Sequence, residues 1–189
     1  MVSSLTQVWP AVDAETGEVH DPDEQYPLPP ASRFIEPGTI EVRDFIPAPD
    51  IEAIAKMLTE RHEHLGWLKG VRVSYLWRCK GGASGGKATF GQCQKASGLI
   101  RHYSGVSFVV WLAWDHCDTA AVTRRQVEAL VYHQLLHADR TEKGKPAVAP
   151  HDFEGFTREL EVYGPWQADL QRMVKVSQQL PMFDEDEVE

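Results

Sequence analysis

Two histidines stand four residues apart in "VYHQLLH", His133 and His137, with Gln134 directly after the first. On a helix this spacing puts both imidazoles on one face, roughly 6 Å apart at Cβ, so each can turn a ring nitrogen toward one ion. The pattern is that of the H-E-x-x-H zinc helix, in which the glutamate after the first histidine is the general base toward water. An amide cannot take up that proton, although it matches a carboxylate in size and still hydrogen-bonds. The motif therefore predicts a site that holds zinc and keeps its shape, with the proton-transfer group missing at Gln134.

Two imidazoles supply half of a tetrahedral set, and a catalytic zinc commonly has three protein ligands. His151, Asp152 and Glu154 in "PHDFEGF" are the next candidates, fourteen to seventeen positions past His137. His151 is the expected third ligand, because imidazole is a common zinc ligand and Pro150 stiffens its approach. Asp152 either hydrogen-bonds the outer nitrogen of a ligand histidine or caps the helix it opens. Glu154 is an alternative base, a partner of a ligand histidine, or an ordinary first-turn acid. Tyr132 and Tyr163 are candidate oxyanion donors, with buried packing as the commoner fate of such side chains. His62 and His64 in "RHEHL" are two apart, which on a helix points the rings to different faces. With His102 and His116 they are taken as surface or core residues.

The elements that must hold these groups can be read from periodicity. Thr123 caps a helix from 124 to about 139, in which Val127, Leu130, Val131, Gln134, Leu135 and Ala138 share one arc. Upstream, "VSFVVWLAW" (106–114) is a continuous apolar run, as for a strand covered on both faces or an inner strand beside a site. "VRVSYLW" (71–77) alternates like a half-buried strand, and "KGGASGGK" after it is a flexible turn without phosphate-loop spacing. A strand over 88–93 is expected to pair back across that turn. A first helix runs from Asp50 as N-cap to Gly66, after a short strand within 39–45. Past the loop "EKGKPAVAP", helices open at 151 or 152 and again at Pro165. This order predicts an α+β fold, a sheet of three or more strands packed against the histidine helix.

At 189 residues the chain suits one domain over 33–178, between an extended or disordered segment 1–32 and an acidic flexible tail 179–189. The formal net charge of −9 argues against phosphate-backbone binding by the whole surface, leaving nucleic acid as an open partner. Arg124, Arg125, Lys143 and Lys145 keep a local basic face near the histidines open. The longest apolar run is far too short for a bilayer span, so no membrane is expected. No secretory leader is visible, and the three widely spaced cysteines read as reduced thiols in cytoplasm.

"ALVYHQLLH" followed by "PHDFEGFTRELEVYGPW", with the upstream "VRVSYLWRCKGGASGGKATFGQCQKASGL" and "SFVVWLAWD", resembles the putative phage metallopeptidase family over roughly residues 50–166. That is a small zincin-like family of phages and prophages. The resemblance implies zinc-assisted hydrolysis of a protein or peptide substrate in bacterial cytoplasm. It gives His133, His137 and His151 the ligand roles and Gln134 the general-base position. The family has glutamate there, so this copy is expected to be inactive or impaired, through a natural loss or a deliberate replacement. The undamaged remainder of the motif favours replacement. The competing expectation is a non-catalytic, metal-stabilised interaction module, associated with DNA replication. Gln179, Leu180, Met182 and Phe183 in the tail resemble the short peptide that docks on the bacterial sliding clamp, against the alternative that they pack on their own domain.

Overall fold

The computed structural model describes residues 11–12, 19–151 and 168–179. Contacts divide the chain into a unit spanning Trp9–Ala149 and a second one that takes in Pro150–Glu189. In the larger unit β1 (Ala11–Val12) and β2 (Val19–His20) pair antiparallel. The extended chain that follows is pinned by its own backbone and side chains. Tyr26 N donates to Val122 O at 2.8 Å, and Trp114 Nε1 donates to Pro29 O at 2.8 Å. Phe34, buried in a 3₁₀ turn over Ala31–Phe34, meets Trp114 edge-on with ring centroids 5.8 Å apart.

Strand β3 (Phe45–Pro47) and helix α1 (Pro49–Arg61) come next, then a 3₁₀ stretch Glu63–Gly70 and strand β4 (Val73–Arg78). The chain continues through β5 (Gly82–Ser84), β6 (Lys87–Thr89), β7 (Gly91–Lys95), α2 (Gly98–Ser104) and β8 (Phe108–Ala113). The larger unit closes with α3 (Trp114–Thr119), α4 (Arg124–His137), β9 (Ala138–Arg140) and β10 (Pro146–Val148). Of the second unit, Pro150, His151 and the helix α5 (Ala168–Gln179) are described.

The fold is α+β, as expected. Its main sheet has the order β3-β4-β8-β7, with β4 and β8 parallel and the outer pairs antiparallel. The continuous apolar run is indeed the inner strand β8, with Phe108, Val110 and Leu112 each fully buried. Those side chains and Trp77 meet Ile51, Ala55 and Leu58 of α1 and Val127, Val131 and Leu135 of α4 in one core. Burial of such side chains contributes about 1.5–3 kcal/mol each before entropy is counted. All three cysteines are free; burial pushes Cys93 and Cys117 up to about 12, which leaves them protonated and inert. Among the described residues no helix is long and apolar enough to cross a membrane.

Several local expectations change. Helix α1 begins at Pro49 with Ala48 in the cap position, and Asp50 makes no cap bond. Its carboxylate instead accepts from Trp77 Nε1, at 3.0 and 3.1 Å to its two oxygens, and from Tyr26 Oη at 3.1 Å. The helix stops at Arg61, and Gly66 falls within the 3₁₀ stretch. The strand expected within 39–45 reduces to Phe45–Pro47. The glycine-rich turn is a tight hairpin of its own, β5 with β6, closed by Gly85 (φ 56°) and Gly86 (φ 79°). Two successive positive φ values suit the right-handed twist of a two-residue hairpin, which is why glycines stand there. The strand after it splits: β6 pairs with β5, and β7 pairs with β8, not with β4.

Candidate metal centre

Helix α4 begins with a capping box: Thr123 Oγ1 accepts from Gln126 N at 3.3 Å while Gln126 Oε1 accepts from Thr123 N at 2.9 Å. The two bonds satisfy donors that a helix start otherwise leaves open. Its phase is set by Val127, Val131 and Leu135, which face the core at 0% exposure. The helical repeat then carries His133 to the exposed side and leaves His137 half-buried on the same flank. Their rings stand edge to face with centroids 4.9 Å apart and the two Nε2 atoms 3.3 Å apart.

The helix ends on His137, two residues short of the expected end, because Ala138 turns extended and starts β9. Strands β9 and β10 form a hairpin in the segment expected to be a loop, with Ala138 opposite Val148. Gly144 (φ 70°) closes the turn, with Thr141 N donating to Lys145 O at 2.9 Å. The hairpin returns the chain to the helix end, where Ala149 brackets His137. Ala149 N donates to the His137 carbonyl at 2.8 Å, and the Ala149 carbonyl lies 2.8 Å from His137 Nδ1. A proton held on Nδ1 by that carbonyl makes Nε2 the acceptor nitrogen of the ring, on the side of His133. His151 is two residues further on, a reach of at most about 7 Å of extended chain. The ligand atoms of His133, His137 and His151 all lie within 4.8 Å of one another.

This donor set fits a tetrahedral metal. Two nitrogens bonded to one zinc at about 2.05 Å stand roughly 3.3 Å apart at the tetrahedral angle, and the observed Nε2 separation is 3.3 Å.

Gln134 sits on the core side of the pair, 4% exposed. It lies against the edge strand at Gly91, where an added Cβ would be 3.2 Å from Gln134 Nε2, 2.9 Å from Trp111 O and 2.6 Å from Leu112 Cδ2. Gly91 is thus a residue of the site that the motif does not name. A lone glycine inside a strand pattern is the signal for such a close approach.

His62 and His64 do not share an α-helix, because α1 stops at Arg61 and His64 falls within the 3₁₀ stretch. Their rings come to 5.6 Å and both meet Tyr132, at 4.9 and 6.0 Å, with Tyr132 Oη 3.2 Å from His64 Nε2. Partial burial, then the neighbouring His64 and Arg61, hold His62 below the ordinary histidine range, against the opposing pull of Glu128. His116 Nδ1 lies 3.1 Å from the Thr89 carbonyl and His102 is exposed, in keeping with structural and surface roles. Arg124 is paired with Glu24 at 3.1 Å, while Arg125, Lys143 and Lys145 are exposed. Asp152, Glu154, Tyr163, Leu180, Met182, Phe183 and the helix expected from 152 lie outside the described residues; Gln179 is the last residue of α5.

A histidine pair on a helix packed against a mixed sheet suits a metallopeptidase-like α+β domain. The chain belongs to the putative phage metallopeptidase family, whose sequence model matches residues 43–178. Membership implies a metal and a protein or peptide substrate. No curated protein and no solved structure matches the chain.

Proposed function

We propose that the chain binds zinc through His133, His137 and His151 at a peptidase-type site whose general-base position is filled by Gln134, so that peptide-bond hydrolysis by this copy is impaired or lost. The observation that carries the proposal is the 3.3 Å separation of the two Nε2 atoms, with His137 Nδ1 facing the Ala149 carbonyl. A divalent metal there supplies Lewis acidity toward water and the scissile carbonyl. The protein's own part is to orient the ligands and to handle the proton. Ala149 fixes the His137 ring, and the β9–β10 hairpin fixes Ala149. The Gln134 amide orients water by hydrogen bonding but cannot accept its proton or deliver one to the leaving amine. The same substitution favours the second reading, a metal-stabilised interaction module that holds a protein without cutting it.

Two proteins separate these readings: the chain as it stands and Gln134→Glu, both loaded with zinc and incubated with an unfolded protein. Cleavage by the glutamate form alone is the expected result. Cleavage by the chain as it stands would remove the assigned role of Gln134, and no cleavage by either zinc-loaded form favours the module. Elemental analysis should find about one zinc per chain, lost in His133→Ala and His137→Ala and reduced in His151→Ala. Equal zinc in all four proteins would remove the site.

A further inference from the structure

The charge of the chain is unevenly distributed. From His64 to Trp114 there is no aspartate or glutamate, although seven of the 19 lysines and arginines fall there. The remaining residues carry 12 cations against all 28 acids, so the net charge of −9 conceals a cationic block.

The fold gathers four of these cations at one end of the sheet. Val73 pairs with Phe108 and Phe108 with Lys95, so the start of β4, the start of β8 and the end of β7 form one row. Lys69 and Arg72 lead into that row, and Arg101 lies on α2, which joins β7 to β8. Arg72 Nη1 donates to Ser104 O at 3.0 Å and so fastens α2 to this end. All four cations are exposed, and none is in an ion pair with a described residue. The carboxylates facing this region from α1 are Glu52 and Glu60, across a cleft of about 450 Å³ that Lys56, Lys69 and Arg72 share.

Helix α2 presents something besides charge. It is well bounded, with Ser97 Oγ accepting from Ile100 N at 3.3 Å and Gly105 at φ 69° beyond its end, yet it buries no residue. Leu99 and Tyr103, one turn apart, are 69% and 81% exposed, and Ile100 is 49% exposed. A helix in a folded domain ordinarily turns its apolar side inward. Here an exposed aromatic ring stands on the short helix that also carries Arg101 and that Arg72 fastens to this end of the sheet; single-stranded nucleic acid is held by such a combination, phosphates along positive charge and bases stacked on exposed rings.

We propose that this end of the sheet binds single-stranded nucleic acid, with Lys69, Arg72, Lys95 and Arg101 along the phosphates and Tyr103 stacked on a base. The net negative charge of the rest of the chain keeps such binding local. The inference is independent of the metal centre and of Gln134.

The test is fluorescence anisotropy of a labelled oligothymidylate of about 20 nucleotides, titrated with the full chain. Four phosphate contacts on a single strand predict a roughly fifty-fold loss of affinity from about 50 to about 200 mM salt. Lys95→Glu with Arg101→Glu should weaken binding at least about tenfold and flatten the salt dependence. Lys143→Glu with Lys145→Glu makes the same change in net charge on the β9–β10 turn and should leave affinity within about twofold. Tyr103→Ala should cost about tenfold with the salt dependence unchanged. Unfolding midpoints of all variants, matched to the parent, confirm that the fold is kept. The proposal is overturned by no binding at the lower salt, by equal losses in the two double variants, or by duplex of the same length binding as tightly. Equal competition by polyglutamate would also overturn it, assigning the face to an acidic protein.

Discussion

Gln134 belongs to two settings, the helix on which it follows His133 and the edge of the sheet against which its amide lies. The sequence motif brings out the first, and helical phase brings out the second: its place in the arc with Val127, Val131 and Leu135 is readable from the 3.6-residue repeat, and it is buried with them. What the repeat does not show is the neighbour across the gap. A Cβ at Gly91 would crowd the amide at 3.2 Å and meet Trp111 O and Leu112 Cδ2 more closely still, at 2.9 and 2.6 Å. Gly91→Ala is expected to cost about 1–3 kcal/mol, since two of the nearest atoms belong to the rigid β8 strand. A denaturant midpoint unchanged from the parent would show that the strand gives way freely. A second group misjudged from spacing is His62, where the end of α1 brings two rings together that a continuous helix would have separated. Its lowered value means that the folded state takes up its proton later than the unfolded state does. Stability from this group is therefore intact above the ordinary histidine range and is lost as pH falls through that range toward the folded value. In a ring-proton NMR titration His62 should titrate below a free histidine, and His64→Gln should move it part of the way back. A titration at the ordinary value would contradict the assigned burial.

At the scale of elements, periodicity reports which side of a segment is covered and is silent about its partner. The alternation over 71–77 and the unbroken apolar run after 106 identify β4 and β8, yet nothing local says that they lie side by side in parallel while β7 takes the outer edge. Helix α2 escapes pattern recognition because it has no buried face, although Ser97 and Gly105 mark both its ends. The β9–β10 hairpin escapes because each strand is three residues long and one begins with proline, so neither shows a repeat. That short hairpin is nevertheless the element that carries the chain from His137 toward His151. Gly144→Val places a β-branched residue at φ 70° and is expected to cost about 1–2 kcal/mol. Zinc affinity should fall more than it does in Lys143→Ala, because Ala149 loses its register on His137 while the helix keeps both of its histidines. Equal zinc affinity in the two variants would separate the hairpin from the site.

For the molecule as a whole, a metal that binds only the folded chain adds to its stability. At a hundred times the dissociation constant the gain is about 2.7 kcal/mol. The unfolding midpoint should rise with added zinc and return on chelation, and it should not respond in His133→Ala with His137→Ala. A midpoint that ignores zinc in the parent would place any bound metal outside the folded core. The parallel pairing of β4 with β8 has a further consequence, for the route by which the chain folds. Val73 meets Phe108 only after the whole stretch holding β5, β6, β7 and α2 has been looped out. Closing a loop of that length costs entropy before any contact repays it, so this seam is expected to form after the more local β7–β8 pairing. Until β7 and β8 pair, Gly91 has no Trp111 and Leu112 beside it and Gln134 has no wall. The histidine helix can acquire its turns from neighbouring residues alone, but the pocket beside it comes into being only with strand pairing.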